Sequence, residues 1–313
     1  MIRGPLGSGK TMESCQKIFT YMCNQQPNEE GIRPSRFIAI RNTFPDLVNT
    51  TIKDWLELYR DLGHYTQGGV EPPHQTLEFE LDDGTIVNSE IIFLALDRDD
   101  GVKKLRGTQV TGFWLNEAKE LPKSIIDMAD LRHGRYPSKA AGGTDCTWHG
   151  MIGDYNSPDE DHWIYKLSEI TKPKGWDFFH QPGGLIREGE KFKENPSAEN
   201  AHNLPEGYYV RGMEGKDFEW IKVNLANEYG FVTDGKPVYP EYVDSAHCLA
   251  DIYEPDETLP LTLGIDFGRT PACAIFQFVP VMGRWVAVDE FVTEDMSATS
   301  FAPELKRYLD REY

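Results

Sequence analysis

The sequence predicts an α/β protein in which a domain with a mostly parallel sheet precedes a smaller, β-rich unit. Residues 4–11 fit the phosphate-loop pattern G-x-x-x-x-G-K-[ST] in full. Behind this loop, short apolar runs typical of strands alternate with amphipathic helical patterns, which favours parallel strands joined by helices. A new apolar run begins at Leu261 and leads into further strand patterns, so we expect a second unit there.

The phosphate loop is the most informative local pattern in the chain. Its functional positions are predicted to be Gly4, Gly7, Ser8, Gly9, Lys10 and Thr11. Glycines let backbone N–H groups curl around phosphate oxygens, while Lys10 is expected to reach the β- and γ-phosphates of ATP and Thr11 to bind Mg²⁺. A helix should follow, because apolar residues recur behind the loop at helical spacing. The alternative is a chance glycine-rich turn before a surface helix.

The other elements of the first domain are predicted from periodicity. Few residues precede the loop, so we expect its leading strand to be nearly absent and the chain to be trimmed at its N-terminus. An amphipathic pattern over residues 52–59 predicts a helix, and alternation on both sides of an Asp-Asp-Gly-Thr turn predicts a hairpin over residues 77–96. Buried strands are predicted at residues 36–40, 110–115 and 150–153.

Composition narrows the class of protein. The formal net charge is −19, which argues against a simple basic coat for gripping DNA but leaves room for a local basic groove. No long apolar run and no signal peptide are visible, so no membrane partner is expected. The five cysteines form neither a CxxC pair nor an even framework, which is typical of a reduced cytoplasmic interior.

Hydrolysis of a nucleotide needs more than a phosphate loop, because one group must orient water and another must hold Mg²⁺. Residues 112–117 read Gly-Phe-Trp-Leu-Asn-Glu, an apolar strand that ends in a carboxylate. Glu117 is the candidate that polarises the attacking water. Position 116 would usually be an aspartate that helps to hold Mg²⁺, and Asn116 keeps an oxygen there but loses the charge. The alternative is an acid that simply follows a core strand.

Taken in order, these motifs resemble the large terminase subunits of tailed bacteriophages, the ATP-driven motors that package DNA. Residues 4–11 resemble their Walker A loop, and residues 105–107 with 113–120 resemble the approach to Walker B and Walker B itself. Further similar stretches are residues 40–47 after the second strand, 132–137 after Walker B, and 153–163 in the coupling motif. Only the Walker A loop is specific by itself, and the order and spacing of the set strengthen the match. Asn116 departs from the family's usual acidic pair.

The resemblance implies roles for three further residues. Arg106 lies where an arginine of the family can reach a neighbouring subunit's ATP site and stabilise charge on the γ-phosphate, although it could instead bind a surface carboxylate. Arg41 is assigned to ATP binding, with a residue that ends a strand as the alternative. Asn156 would contact the γ-phosphate region and report phosphate loss to the rest of the domain. Its alternative is an Asn-Ser-Pro turn.

The second unit begins with an apolar strand that delivers one carboxylate, Asp266. Strands over residues 272–279 and 285–292 and a helix over residues 301–309 are predicted to follow, like the start of an RNase H-like fold. This also resembles the terminase nuclease, in which the first-strand aspartate binds metal, so Asp266 is implied as a catalytic ligand of Mg²⁺ or Mn²⁺. Asp289 and Glu290 are candidate helpers, but strand alternation directs them to opposite faces. The alternative for Asp266 is an acid that closes a strand.

The predicted organisation is a P-loop ATPase domain at residues 1–190, a linker or bridging subdomain at 191–258, and a partial RNase H-like nuclease domain at 259–313. We expect ATP hydrolysis coupled to DNA translocation, with endonuclease activity absent because the nuclease domain is incomplete. The resemblance implies double-stranded DNA, a portal protein, the small terminase subunit and further copies of the chain in a ring as partners. It also implies that the protein acts in the cytoplasm of the infected bacterium and does not remain in the virion.

Two other functions stay open from the sequence. One is another P-loop motor on nucleic acid, such as a helicase, although the additional helicase motifs are not found behind residue 160. The other is a non-catalytic remnant that binds only DNA or a partner, which the short first strand and Asn116 keep open. A steady-state ATPase assay with and without DNA separates these functions.

Overall fold

The computed structural model describes residues 1–97, 101–139, 145–189, 191–230, 247–249, 253–268, 270–294 and 296–313. Two units make up the chain, Met1–Asp234 and Gly235–Tyr313. Within the described residues the first unit has a main sheet of eight strands, which are β1 (Ile2–Arg3), β2 (Ile32–Arg41), β3 (Gly63–Thr66), β4 (His74–Glu80), β5 (Ile86–Ala95), β6 (Gly112–Leu115), β7 (Gly150–Tyr155) and β8 (Phe179–His180). The remaining strands are β9 (Leu185–Glu188) and β10 (Lys191–Glu194), which form a hairpin, and β11 (Leu261–Asp266), β12 (Ala272–Val279) and β13 (Arg284–Val292) in the second unit.

The spatial order of the main sheet is β3-β4-β5-β2-β6-β7-β1-β8. The six strands from β5 to β8 in this order run parallel, while β3 and β4 form an antiparallel edge. This confirms the predicted α/β fold with a mostly parallel sheet. The carboxyl ends of parallel strands meet at one edge, so the segments that follow β1, β6 and β7 converge there.

Helices cover both faces of this sheet. The α-helices of the described first unit are α1 (Lys10–Cys23), α2 (Phe44–Asp46), α3 (Lys53–Tyr59), α4 (Val102–Leu105), α5 (Lys123–Asp130), α6 (Trp163–Tyr165), α7 (Tyr208–Met213) and α8 (Phe218–Asn224). The second unit contains α9 (Ala298–Glu312). Short π-helical turns lie at Leu47–Ile52 and Lys166–Thr171, and 3₁₀ turns at Arg60–Leu62, Ala118–Glu120 and Ala201–Asn203. Among the helices of the described residues, none is both long and apolar enough to cross a lipid bilayer.

Side chains alternate along β2 and so contribute to two cores. Phe37 and Ala39 pack with α1 and α3 on one face. Ile38 and Ile40 pack with α4, α5 and α6 on the other. A strand buried on both faces has an almost continuous apolar sequence. For this reason the sequence predicts a strand here although apolar and polar residues do not alternate.

The first strand is short but is paired on both sides. Ile2 is opposite Asp154 of β7 and also opposite Phe179 of β8. The amino group of Met1 donates a hydrogen bond of 2.8 Å to the carbonyl of Asp177. The strand predicted to be nearly absent therefore has two residues, and both of its edges are used to position the phosphate loop.

Much of the predicted linker belongs to the first unit. Leu185 shares a hydrophobic core with Tyr209 and Ile221, which lie on α7 and α8, and Leu6 of the phosphate loop packs against this core. The first compact unit spans Met1–Asp234, while the predicted domain boundaries at residues 190 and 258 stay predictions. Composition suggested a linker because this core is small and its segments are polar between the buried positions.

The second unit has its own sheet and core. Its three strands are antiparallel in the order β11-β12-β13. Cys273 and Ile275 of β12 pack against Phe301 and Leu305 of α9. The predicted element order, three strands and then a helix, is found, while the RNase H-like assignment stays a prediction.

Candidate nucleotide site

The phosphate loop joins β1 to α1 and depends on two glycines. Gly7 and Gly9 have φ angles of 76° and 80°, in the left-handed region that glycine adopts without a Cβ penalty. A Cβ on Gly7 would also lie 3.0 Å from the ring of Tyr208. The hydroxyl of Ser8 is buried and has no hydrogen-bond partner among the described residues, and a phosphate oxygen is the kind of group that would satisfy it.

Lys10 and Glu117 face each other across the site. Lys10 begins α1 and is only 6% exposed, and its Nζ lies 3.5 Å from Oε1 of Glu117. Burial raises the pKa of the Glu117 carboxyl, the Lys10 ammonium opposes that rise, and the Asp154 carboxylate adds to it. The backbone of Glu117 has a φ of 50°, an uncommon value for a residue with a Cβ. The structure thus brings together the two residues that the sequence assigned to phosphate binding and to water activation.

Asp154 is a buried carboxylate that the sequence analysis did not single out. It is 0% exposed, and it accepts hydrogen bonds from Nε1 of Trp114 at 2.7 Å, Nδ2 of Asn116 at 2.8 Å and the backbone N–H of Glu117 at 3.3 Å. A signal was present, because an acidic residue interrupts the apolar run of β7, and charged side chains are almost never fully buried without partners.

Asn116 is also buried, and both ends of its amide are bonded. Its Nδ2 donates to Asp154, and its Oδ1 accepts a hydrogen bond of 2.6 Å from the hydroxyl of Thr51. Thr51 is itself completely buried. The residue predicted to lie on the metal side of the site therefore belongs to a hydrogen-bond network that joins β6 and β7.

Arg41 and Asn156 lie at the carboxyl ends of β2 and β7, the two strands that flank β6. Arg41 ends β2, and its guanidinium forms an ion pair of 2.7 Å with Glu120. The same guanidinium acts electrostatically to lower the pKa of Glu117, although burial outweighs it. Asn156 follows β7, and its Oδ1 is buried without a hydrogen-bond partner in the described part of the chain.

Arg106 lies apart from this cluster. It directly follows α4 and is exposed, as are the neighbouring Lys103 and Lys104. Leu105 of the same helix packs in the core on the α5 face of the sheet, whereas α1 covers the other face. Within one chain, the described residues show no ion pair or hydrogen bond for the Arg106 guanidinium.

Residues beyond β8 reach back to the phosphate loop. Nδ2 of Asn200 donates to the carbonyl of Gly7 at 2.8 Å, and Nε2 of Gln181 donates to the carbonyl of Ser8 at 3.3 Å. The sequence analysis missed these contacts, because isolated amide side chains far along the chain carry no local pattern that links them to the loop. They fix the outer side of the loop, Gln181 from the end of the predicted ATPase domain and Asn200 from the segment predicted to be a linker.

The donor groups of the site suit Mg²⁺ bound with a nucleotide. The hydroxyl of Thr11, the amide oxygen of Asn116 and the carboxylate of Glu117 offer the hard oxygen atoms that Mg²⁺ prefers. The buried oxygens of Ser8 and Asn156 lack partners among the described residues and remain able to bond to phosphates or to water. The residues present therefore fit the ion, whose predicted ligands are Thr11 and Asn116.

Asp266 belongs to the second unit, where it ends β11 and is exposed. Residues directly opposite in antiparallel strands share a face, so the pairing of Gly264 with Ala274 and of Ala274 with Glu290 places Glu290 on the Asp266 face. Asp289 points to the other face, where it accepts a hydrogen bond from Tyr308 of α9. Among the described residues, no group of three or more His, Cys, Asp or Glu side chains is arranged to hold a metal ion.

Comparison with known proteins gives structural matches only. No family model and no curated protein matches the sequence. A crystal form of the large terminase from a thermophilic bacteriophage superposes with a TM-score of 0.52 at 13% identity, covering 100% of this chain and 68% of that chain. The same terminase in complex with ADP gives a TM-score of 0.52 at 13% identity, and in complex with ATP-γ-S 0.52 at 12%; each covers 99% of this chain and 68% of that one. The chain therefore has a terminase-like fold.

Proposed function

We propose that this protein is an ATPase that drives DNA packaging. The observation that carries the proposal is the pair formed by Lys10 and Glu117, whose charged atoms are 3.5 Å apart at the carboxyl edge of a parallel sheet. The phosphate-loop lysine and the strand-end carboxylate are two of the groups that nucleotide hydrolysis requires from the protein. The terminase-like fold supports DNA packaging as the process that this hydrolysis drives.

The phosphate loop binds and orients the triphosphate. Backbone N–H groups at the N-terminus of α1 point toward the anion, and the helix dipole favours negative charge there. Lys10 lies at this end of the helix and exchanges its contact with Glu117 for the β- and γ-phosphates. Mg²⁺, when bound, neutralises charge that develops on the phosphates.

Glu117 accepts the proton of the attacking water. Its pKa is raised by burial, and a carboxylate with a raised pKa is a stronger base near neutral pH. While Lys10 stays beside it, the ammonium competes for the carboxylate. Nucleotide binding draws Lys10 away, so the base becomes available only when a triphosphate is in place.

The motor assignment extends this site to an assembly. We place double-stranded DNA, a portal protein and the small terminase subunit among its partners, with several copies of the chain in a ring in the cytoplasm of the infected bacterium. Arg106 is exposed and makes no ion pair with the described residues of its own chain, which supports a role in a neighbouring copy's ATP site. Asn156, with its unpartnered oxygen, is the proposed coupling residue, and Arg41 the proposed nucleotide sensor.

The nuclease assignment of the second unit belongs to the same proposal. Asp266 is its proposed metal-binding catalytic residue, with Mg²⁺ or Mn²⁺ as the ion. Glu290 is the better candidate helper, because strand register places it on the Asp266 face, whereas Asp289 bonds to Tyr308 on the opposite face.

A comparison of two lysine variants tests the ATPase. Lys10→Ala should lower ATP turnover by at least ~100-fold, about 2.7 kcal/mol of transition-state stabilisation, because Lys10 is the phosphate-loop cation. Lys17→Ala is the matched control, since this lysine lies exposed on the same helix. Thermal unfolding of both variants shows that they are folded. Turnover retained in a folded Lys10→Ala variant would contradict the assignment of the loop.

A further inference from the structure

The carboxylate of Asp154 has an unusual position, fully buried beside the nucleotide site. The strands β6 and β7 are in parallel register with Leu115 opposite Gly153, so the residues that follow, Asn116 and Asp154, lie side by side. Their polar groups are joined by a hydrogen bond of 2.8 Å. On the other side of β7, Asp154 is opposite Ile2 of the strand that leads into the phosphate loop.

The charge of Asp154 is not balanced by a side chain. No lysine, arginine or histidine of the described segments forms an ion pair with it, and its side chain is fully buried. Three hydrogen-bond donors stabilise the carboxylate, but a buried charge normally also has a charged partner or a metal. The Met1 amino group interacts electrostatically with Asp154, but burial lowers the pKa of this amine to about 6, so it balances little of the charge at neutral pH. A cation bound in the adjoining site is the remaining candidate for a counter-charge.

Asn116, the hydrogen-bond partner of Asp154, lacks the negative charge that is expected at its position. The sequence has an amide where a carboxylate is expected on the metal side of the site. The structure places a carboxylate in hydrogen-bond contact with that amide, on the neighbouring strand. One acidic group is therefore present in this pair, at position 154 instead of position 116.

We propose that Asp154 supplies the negative charge that position 116 lacks on the Mg²⁺ side of the nucleotide site, and acts through Asn116. This inference rests on the proposed ATPase function. Asp154 is a positioning residue in this account, because it touches Asn116 and the Glu117 backbone and no substrate atom. Its bond to the Glu117 N–H at 3.3 Å also holds the uncommon backbone conformation that directs Glu117 toward Lys10.

Exchange of the two groups is the decisive variant. In Asp154→Asn alone, the NH₂ group of the new amide must face another donor, the N–H of either Trp114 or Asn116. A hydrogen bond is therefore lost as well as the charge. In the double variant Asn116→Asp/Asp154→Asn, the carboxylate at position 116 accepts from the amide at 154 and from Thr51. The carbonyl oxygen at 154 still accepts from Trp114, so the exchange preserves most of the network.

Binding of a fluorescent N-methylanthraniloyl derivative of ADP is measured with Mg²⁺ and with EDTA. Asp154→Asn should raise the Mg²⁺ concentration that half-saturates nucleotide binding by about 10–100-fold, the range for loss of a group that supports metal binding. In EDTA the same variant should bind the nucleotide as tightly as the wild type or more tightly, because a negative charge near the phosphates has gone. The double variant should return the Mg²⁺ requirement toward the wild-type value. Asp127→Asn, which removes a surface carboxylate of α5, is the control and should match the wild type.

A different pattern would overturn the inference. Equal weakening of binding in Mg²⁺ and in EDTA would show that Asp154 only maintains the fold. A folded double variant that keeps the defect would show that the charge cannot act from position 116. If Asp154→Asn unfolds, the double variant alone tests the inference. Thermal unfolding then reports whether the double variant is folded, and the Mg²⁺ titration reports whether it binds the nucleotide with the wild-type Mg²⁺ requirement. Failure of the wild type to bind the nucleotide in either condition would instead refute the ATPase proposal itself, and the inference with it.

Discussion

Substitution of Glu117 by glutamine tests two consequences of burying a catalytic carboxylate, its effect on hydrolysis and its effect on the pH dependence of stability. Glutamine keeps the size of the side chain and a hydrogen-bonding oxygen for Lys10, 3.5 Å from the carboxylate in the structure, but it cannot accept a proton from water. Nucleotide binding should be retained. Hydrolysis should fall by about 10²–10⁴-fold, the usual contribution of a general base, which corresponds to about 2.7–5.4 kcal/mol of barrier.

The same substitution should change the pH dependence of stability. The pKa of Glu117 is higher in the folded protein than its ordinary value of 4.5, with burial as the main cause. The unfolded chain therefore releases this proton first as the pH rises. Between 4.5 and the raised folded pKa, the native state holds more protons, so the free energy of unfolding falls with increasing pH, and the loss is complete above the folded pKa. Glu117→Gln removes this contribution and should be more stable than the wild type at neutral pH without nucleotide.

Two measurements check this reasoning. Single-turnover hydrolysis and nucleotide binding report the catalytic effect, and thermal unfolding from about pH 4 to about pH 8 reports the stability effect. Each kcal/mol gained should raise the unfolding temperature by roughly 2–4 °C for a domain of this size. Glu78→Gln, an exposed change on β4, is the control and should show neither effect. A Glu117→Gln variant that hydrolyses ATP normally, or that follows the wild-type pH profile of stability, would refute the argument from burial.

Three further outcomes are expected. Arg106→Ala should leave nucleotide binding intact and abolish turnover only in the assembled state. Mixing this variant with Lys10→Ala chains should restore some activity, because an interface between the two variants can combine an intact Lys10 with an intact Arg106. No recovery at any mixing ratio would exclude action of Arg106 in a neighbouring subunit. Gly7→Ala should weaken nucleotide binding and lower the free energy of unfolding more than Gly31→Ala does. Both positions have a φ of 76°, so both variants carry a backbone strain of about 1–2 kcal/mol. Only at Gly7 would the added Cβ also meet an aromatic ring, at 3.0 Å. Plasmid DNA incubated with the chain and Mn²⁺ should stay intact, and cleavage that is lost in Asp266→Ala would show instead that the residues present complete a metal site.

Local patterns predicted most elements of this fold. The hairpin of β4 and β5 followed from alternation around an Asp-Asp-Gly-Thr turn, and β12 was predicted with the bounds that the structure shows. Predicted strands were shorter than the observed ones where polar residues extend them. β2 runs from Ile32 to Arg41 because its outer half pairs with β5, and pairing across the sheet is invisible in a single segment.

Some residues of the nucleotide site could also be predicted from local patterns, and others could not. The phosphate loop and the strand-end Glu117 are contiguous motifs, so their chemistry could be inferred from spacing. Asp154, Gln181 and Asn200 reach the site through strand register and through the small core around Leu185. Contacts of this kind depend on how distant segments pack. The acidic residue within the apolar run of β7 was a signal for Asp154, whereas no local pattern links Gln181 or Asn200 to the site.

The charges of the site explain why the protein should respond strongly to its ligand. One ammonium, on Lys10, lies near two largely buried carboxylates, Glu117 and Asp154, so these side chains alone carry an excess of negative charge in a region of low dielectric. Burial raises the pKa of Glu117, and the Asp154 charge adds to that rise, which lowers the stability of the folded chain at neutral pH. A nucleotide alone adds further negative charge and gains only the contacts to the loop and Lys10, whereas a nucleotide with Mg²⁺ brings a cation to the carboxylates. Ligand binding to the native state stabilises it in proportion to affinity, so Mg²⁺ with ADP should raise the unfolding temperature more than ADP in EDTA does. Asp154→Asn should reduce the difference between these two conditions, because it removes the carboxylate that the cation would neutralise.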